Sequence, residues 1–441
     1  MPSCSHMELV YGPSEASKHA GYVLRDWAQL QAAKGNKTTG KITDSGAQSI
    51  ASHRLLYPAP LVLPNDDLYI DPEYDPQTFG DWPKLVNAHF VPAKRRKMYL
   101  VPPPQTDSDV SFVDDWTHST INKRSKPRMQ PPSAADVCNY LEAFYGGLET
   151  KLLPASTLTW GSWDGDSEDI ALQTQTEGIR IRVRTCKDRL LPKQLNLNDL
   201  LDVAIEILPE DALALIMLVD HDIYEDEDDD FVCGRAFGGS HVCVVSSARY
   251  QPLLDQAQSV NRSHSWPASH CKAFVERHCA QYIEGPKPKK PKIVGQAQNG
   301  HSSGPIDTNQ TPLQAAIAAL KTLKVSSPQY LSSLWLWRVC RTASHELGHC
   351  LGMDHCVYYA CIMQGTASVA EDARQPPYLC PVDDAKIRAL IQERGVPGSD
   401  SRYVQSMLRF CCAQGPGSAF EPYKVWLEVK LASEGRLIAN S

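Results

Sequence analysis

Residues 345–355 read HELGHCLGMDH, and few stretches restrict a fold as tightly. His345 and His349 fall late in LSSLWLWRVCRTASHELGHCLG (331–352), a run with helical spacing whose apolar positions include Leu334, Trp337, Cys340 and Leu347. A separation of four is about one helical turn, so both imidazoles project from one face and can reach a single ion. A straight helix carries no third ligand far enough round that ion. Gly352 lets the chain leave through a left-handed turn, and His355 can then swing back to the metal. Three neutral imidazoles with one position left open suit a catalytic zinc, not a closed structural one. Glu346 is placed to take a proton from zinc-bound water, whose pKa the metal lowers towards ~7, and to pass it to a leaving amine. Composition alone yields this extended pattern on the order of 10⁻⁴ times or fewer in a chain of such length.

The rest of the chain limits what can surround that site. Its apolar fraction of 42% and charged fraction of 22% are those of an ordinary soluble globular protein. A net charge of −7 argues against a general nucleic-acid binder or an anionic-membrane binder. No run approaches the roughly 18 apolar residues of a membrane helix. The opening MPSCSHMELVYGPSEASKHAGY lacks the apolar stretch of a secretory signal, so a cytoplasmic or nuclear location is expected. With that location the 14 cysteines read as reduced thiols, used for metal binding or burial. Cys138, Cys186, Cys233 and Cys243 sit in apolar stretches and read as core.

Residues 1–130, rich in proline and polar side chains, read as a loosely structured or small extension. Helical spacing appears at 133–148, with Ser133 as N-cap, and at 196–208. GIRIRVRTC (178–186) alternates like a half-exposed strand, ALALIMLVD (212–220) is a buried strand, and HVCVVSSARY (241–250) is another. This order points to an α/β or α+β layer with helices packed on a sheet. Residues 251–312 read as a Pro/Gly/polar surface insertion, whose lysines at 287–292 are either a nuclear-localisation patch or, as we favour, a solvated linker. Further helices are expected at 312–323, 383–395 and 401–412.

H-E-x-x-H-x-x-G-x-x-H is the metzincin pattern. Its continuation here, HCVYYACIM followed by CPVDD, resembles the archaemetzincins, in which the third histidine runs into C-x₄-C-x-M and a later C-x-x-C. The upstream DHDIYEDEDDDFVCGRAFGGSHVCVVSSARY resembles the family's strand–loop–strand before the active-site helix. The resemblance covers roughly 134–412 apart from 251–312. It implies an α+β, metzincin-like zinc peptidase domain over 131–412. That domain would have a mixed twisted sheet with packed helices, an active-site helix carrying the histidines, and an irregular zinc-bound C-terminal part. Residues 1–130 would be an extension and 413–441 a tail.

By resemblance, His345, His349 and His355 hold zinc, Glu346 is general base, and Met363 is the methionine under the metal. The strand His241-Val242-Cys243-Val244 would be the one that pairs with extended substrate. A second, structural zinc would be held by Cys356, Cys361 and Cys380 with a fourth cysteine, but that position is Asp383. A Cys₃Asp site is chemically possible, and Asp384, Cys411 or Cys412 could also swing in; alternatively the site has decayed into packed cysteines. The retained zinc is the reading preferred here.

Three other features of the sequence carry candidate chemistry. YEDEDDDF (224–231) reads as a solvated acidic loop, lacking the spacing of a calcium loop. His270-Cys271 and His278-Cys279 could form another metal site, but Cys271, Phe274, Val275 and His278 also fit one face of an amphipathic helix, and packing is the reading preferred here. Cys4 leaves a cysteine latency switch open.

The expectation is a zinc metallopeptidase, monomeric by default, that acts on peptide or protein substrates and has neither nucleic-acid nor membrane partners. The rival readings are a zinc-stabilised binding or scaffold protein without turnover, and a nucleic-acid module built on the cysteines and lysines. Glu346, superfluous to a scaffold, argues against the first. The acidic net charge argues against the second.

Overall fold

The computed structural model describes residues 4, 6, 8–35, 44–83, 95–121, 129–146, 148–164, 168–283, 310–394 and 402–433. Its centre is a mixed five-stranded sheet. In chain order the strands are β1 (Lys97–Val101), β2 (Glu149–Leu152), β3 (Ala212–Val219), β4 (Gly234–Phe237) and β5 (Val242–Ser246). They lie side by side as β4-β5-β3-β1-β2. β5, β3, β1 and β2 pair in parallel, and β4 closes one edge antiparallel to β5. All eight residues of β3 are buried, as expected of a strand covered on both faces. Ala214, Ile216 and Leu218 point to one core, while Leu215, Met217 and Val219 point to the other.

Helix α1 (Ala134–Phe144), capped by Ser133, shares the first core with the long helix α4 (Pro328–Cys350). Helix α2 (Leu197–Glu206), capped by Asn196, lines the second. Other helices include α3 (Pro312–Thr322), α5 (Pro381–Glu393), α6 (Arg402–Ala413) and α7 (Glu421–Ser433). Two smaller sheets, one of four strands and one of three, flank the main one. GIRIRVRTC belongs to both, as Gly178–Ile181 and Val183–Thr185. The result is a mixed α+β architecture.

Three expectations need correction. First, residues 1–130 are not a loose extension. β1 is interior to the sheet, and Tyr22, Leu30, Val62, Leu68 and Trp82 are buried in the same core as α4. Short apolar runs separated by proline give no periodicity to read, although each side chain finds a place in the core. The end of the chain likewise joins that core: Tyr423 and Trp426 of α7 are buried, with Trp426 stacked on Tyr378 at 4.4 Å. Second, 251–283 is ordered, with short 3₁₀ turns leading into a helix at Lys272–Ile283; the lysine-rich stretch lies outside the described residues.

Third, the strand carrying Val242, Cys243 and Val244 cannot accept a substrate strand. It is paired on both sides, by β3 and β4, and all three side chains are fully buried. His241 precedes it in the left-handed region at φ 60°, its Nδ1 3.1 Å from the Cys350 carbonyl oxygen. Strand addition needs unpaired backbone groups, and the edge strand that can offer them is β4.

α4 is held in place by polar ties. The Tyr145 hydroxyl donates to the Ser344 carbonyl at 2.5 Å, and the Trp335 indole N–H donates to the Ser247 carbonyl at 2.8 Å. Arg338, 2% exposed, grips the buried Asp255 with two nitrogens at 2.7 and 3.1 Å and also reaches the Tyr250 carbonyl at 3.2 Å. Arg262 completes the cluster on Asp255. Removing Arg338 takes two hydrogen bonds from the buried Asp255 and leaves it, among the described residues, only Arg262, itself partly exposed, as counter-charge. Arg338→Met is therefore expected to lower unfolding free energy by about 3–5 kcal/mol, measured from the shift of the urea unfolding midpoint.

Candidate active site

The last turn of α4 and the loop after it build the site. Leu351 ends the helix, and Gly352 follows at φ 81°, as the sequence led us to expect. The Gly352 N–H donates to the His349 carbonyl and the Met353 N–H to the Gly348 carbonyl, closing the last turn. The chain reverses there, and His345, His349 and His355 converge with ring centroids 4.6–5.4 Å apart. Their available nitrogens lie within 4.8 Å of one another.

Hydrogen bonding sets the tautomers. His345 Nδ1 is 2.7 Å from the Ile362 carbonyl oxygen, and His349 Nδ1 is 2.7 Å from that of Met353. A carbonyl only accepts, so each Nδ1 carries the proton and each Nε2 presents a lone pair. The two Nε2 atoms face each other at 2.9 Å. Two lone pairs at that distance repel unless a cation sits with them, so the three imidazoles fit a metal ion on their own geometry. Burial, followed by the neighbouring imidazoles, pushes His345 well below its ordinary pKa and His355 down to about 4, which keeps both rings neutral and able to ligate.

Glu346 sits beside the three rings, 7% exposed, and burial raises its carboxyl to about 8 in spite of Arg235 and a hydrogen bond from the Ala236 backbone. That backbone contact comes from β4, the edge strand. Gly234 on the same strand makes room: a Cβ there would lie 3.0 Å from Glu346 Cγ and 3.1 Å from Thr342 Cγ2. A cleft of about 840 Å³ runs along these groups, with β4 on one side and the 362–369 loop on the other.

Met363 is fully buried beneath the histidines, and its Sδ would be 2.6 Å from a Cβ at Gly348. Its carbonyl accepts from the Cys356 N–H at 2.8 Å, which closes the loop. Cys356, Cys361, Cys380 and Asp383 form a second cluster, all buried. The sulfurs of Cys356 and Cys380 are 3.7 Å apart, and Asp383 Oδ2 lies 3.3 Å from Cys380 Sγ and 3.6 Å from Cys361 Sγ. The other Asp383 oxygen accepts from Lys386 at 2.9 Å. Asp384 instead pairs with Arg388, and neither Cys411 nor Cys412 belongs to the group. Three thiols and one carboxylate at this spacing are a donor set that zinc accepts.

Several residues of the site escaped the sequence reading because they come from the N-terminal part. The Tyr74 hydroxyl donates to Asp354 at 2.5 Å, and the Tyr74 ring lies 5.5 Å from that of His355. Gln77 donates to the Gly352 carbonyl at 3.0 Å, and its own oxygen accepts from the Asp354 N–H and from Lys386 Nζ. One amide therefore touches both the turn before His355 and the lysine on Asp383. Around the cysteines, the Tyr22 hydroxyl donates to the Val357 carbonyl and the Ala360 N–H to that of Pro58.

These features define a class: three imidazoles and an adjacent carboxylate on a helix end, beneath the antiparallel edge of a mixed sheet, with a cysteine cluster in the loop that follows. Residues 313–388 match the model of peptidase family M54. Archaemetzincin-2 of Rattus norvegicus is 23% identical over 252 residues, which is 57% of this chain and 52% of that protein. Archaemetzincin-1 of Homo sapiens is 26% identical over 258 residues, 58% of this chain and 39% of that one. The chain thus spans about half or less of the length of these curated relatives. The solved archaemetzincin of Methanopyrus kandleri aligns with 69% of this chain and 98% of its own at 17% identity, with a TM-score of 0.30, too low to bear on the fold. The family model and the relatives agree in what this chain is similar to, the archaemetzincins.

Gly365 offers a test of the geometry. A Cβ there would overlap the Asp67 carboxylate and lie 2.8 Å from His355 Nδ1. Gly365→Ala is expected to displace the third imidazole and weaken zinc binding at the histidines by about 10–100-fold, read by competition with a chromogenic chelator.

Proposed function

We propose that this chain is a zinc-dependent peptide hydrolase whose metal is held by His345, His349 and His355, with Glu346 as the general base. The observation that carries the reading is the Glu346 carboxylate, buried in the cleft against the three neutral imidazoles and touched by the Ala236 backbone of β4. Bound there, zinc would supply a Lewis acid to polarise the scissile carbonyl and acidify a water. Glu346 takes the proton from the attacking water and delivers it to the departing amine, as a carboxylate in a dry site can. The free side of β4 gives an extended peptide a backbone ladder along the cleft. A metal scaffold would have no use for a buried carboxylate that is not among the ligands. Among the described residues no helix is long and apolar enough to cross a membrane. All 14 cysteines are free, which suits a reducing compartment such as the cytoplasm or nucleus.

The proposal extends to a second zinc on Cys356, Cys361, Cys380 and Asp383. In this set Asp383 keeps the charge a fourth thiolate would carry, and Lys386 offsets part of it.

Two experiments test these assignments. Cleavage of a mixed peptide library is expected to fall by about 10²–10⁴-fold in Glu346→Gln, with zinc per chain unchanged; full activity in that variant would remove Glu346 from the chemistry. Asp383→Ala is expected to lose one zinc per chain and Asp383→Cys to keep it. Equal zinc and equal thermal stability in Asp383→Ala and wild type would show that the aspartate is not a ligand.

A further inference from the structure

The beginning of the described chain is zipped to the segment 264–272. Leu9 bridges Cys271, the Val10 N–H donates to the His270 carbonyl at 2.9 Å, the Lys272 N–H donates to the Glu8 carbonyl at 2.9 Å, and Lys272 pairs with Glu8 through side chains as well. This pairing carries Cys4 and His6 onto His264 and Cys271. One ligand atom from each of the four can be chosen so that all lie within 4.8 Å of one another. The two sulfurs are 3.1 Å apart, and the His6 and His264 rings meet edge to face at 5.1 Å.

The two imidazoles are short of partners. His264 is only 5% exposed, stacked on Phe274 at 4.4 Å, and neither of its ring nitrogens has a hydrogen-bond partner. His6 bonds to the Ser263 backbone, which leaves its buried Nε2 unpartnered. A buried polar atom without a partner is costly and calls for an explanation. A carbonyl on one ring nitrogen with the other nitrogen aimed at thiols is also how a ligating histidine is held.

We propose that Cys4, His6, His264 and Cys271 form a further zinc site, structural and closed, that staples the N-terminal segment to the 251–283 region. Two thiolates and two imidazoles are a tetrahedral zinc set, in which ligand atoms stand about 3.3–3.8 Å apart, so the four groups need shift only slightly to enclose the ion. The site shares no residue with the other two clusters. It revises the sequence reading: Cys271 joins Cys4, while Val275 and Cys279, on the helix that also carries His278, pack with Leu61 and Leu63. Cys4 is thereby committed here and not to a latency switch. The staple bears on the active site through the chain it anchors, since the N-terminal part also supplies Tyr74 and Gln77 to the His355 turn. Metal binding at such a site contributes directly to folding.

The test is zinc per chain, by elemental analysis of the full chain purified without chelator. Wild type is set beside Cys4→Ser, His6→Ala and His6→Cys. Because Cys4 and His6 lie outside every helix and strand, these variants are expected to keep wild-type circular dichroism. His264→Ala serves as a second probe from the other side of the site. Cys4→Ser, His6→Ala and His264→Ala are each expected to lose one zinc per chain, and His6→Cys to keep it, because a Cys₃His set still binds zinc. Zinc content identical to wild type in Cys4→Ser and His6→Ala overturns the proposal. So does intact-mass evidence that Cys4 and Cys271 are joined as a disulfide in protein kept in its native reducing compartment until lysis, since a disulfide and a dithiolate zinc site exclude each other.

Discussion

The α4 helix is buried on nearly every side, and that burial governs the placement of everything polar near it. From Tyr330 to Cys350 almost every side chain is out of water. A polar group there needs a specific partner, and most are placed to have one. Arg338 has Asp255, Thr342 has the Tyr250 hydroxyl, and Ser344 has the Arg341 carbonyl. His345 and His349 lie in the same surroundings, each with one nitrogen spent on a carbonyl and the other facing its neighbour. Burial also raises the Glu346 carboxyl, to about 8. One cause therefore produces neutral ligands, a poised carboxylate and a helix that cannot drift.

Rigidity of the helix would be wasted if the third histidine could wander. His355 lies beyond the helix end, on a turn that begins at Gly352, and three groups pin that turn: Gln77, Tyr74 and the Trp82 indole, which donates to the Leu351 carbonyl at 3.1 Å. All three come from residues 74–82, so the part of the chain that looked expendable completes the site. Gln77 also bonds Lys386, the partner of Asp383. A displacement of Gln77 would disturb the two clusters together, and their geometries are linked through this side chain.

The sequence made some of this legible and hid the rest for identifiable reasons. α1, α2, β3 and α4 were readable because apolar spacing and caps agree locally: Ser133 and Asn196 cap the helices they precede. The three histidines, Glu346 and the glycine turn were readable because they are close in sequence and their spacing has a geometric meaning. Asp383 could be proposed because it is three residues from Cys380 on what proves to be the first turn of α5. The edge position of β4 was missed because pairing order is a long-range property: GRAF and HVCVV are both plausible strands, and only the sheet shows which of them has a free edge. Tyr74, Gln77 and the Cys4–His6 pair were missed for the same reason. Their partners lie more than 250 residues away, where no local pattern can point to them.

Asp383, standing where the family resemblance implies a cysteine, illustrates how burial and charge are balanced around the proposed second metal site. A thiolate bonds through one sulfur and needs little else, whereas a carboxylate has a second oxygen that cannot be left unpartnered inside the protein. Lys386 meets that need: it is one turn along α5, 1% exposed, with Nζ 2.9 Å from Asp383 Oδ1. A buried ammonium in turn needs more than one acceptor, and Gln77 Oε1 supplies a second at 2.7 Å. As the proposed ligand, Asp383 thus comes with a lysine and a glutamine, and the glutamine is the residue that holds the His355 turn. A decayed site of merely packed cysteines would call for none of these buried polar partners. Their presence is the strongest structural argument that the carboxylate works as a ligand.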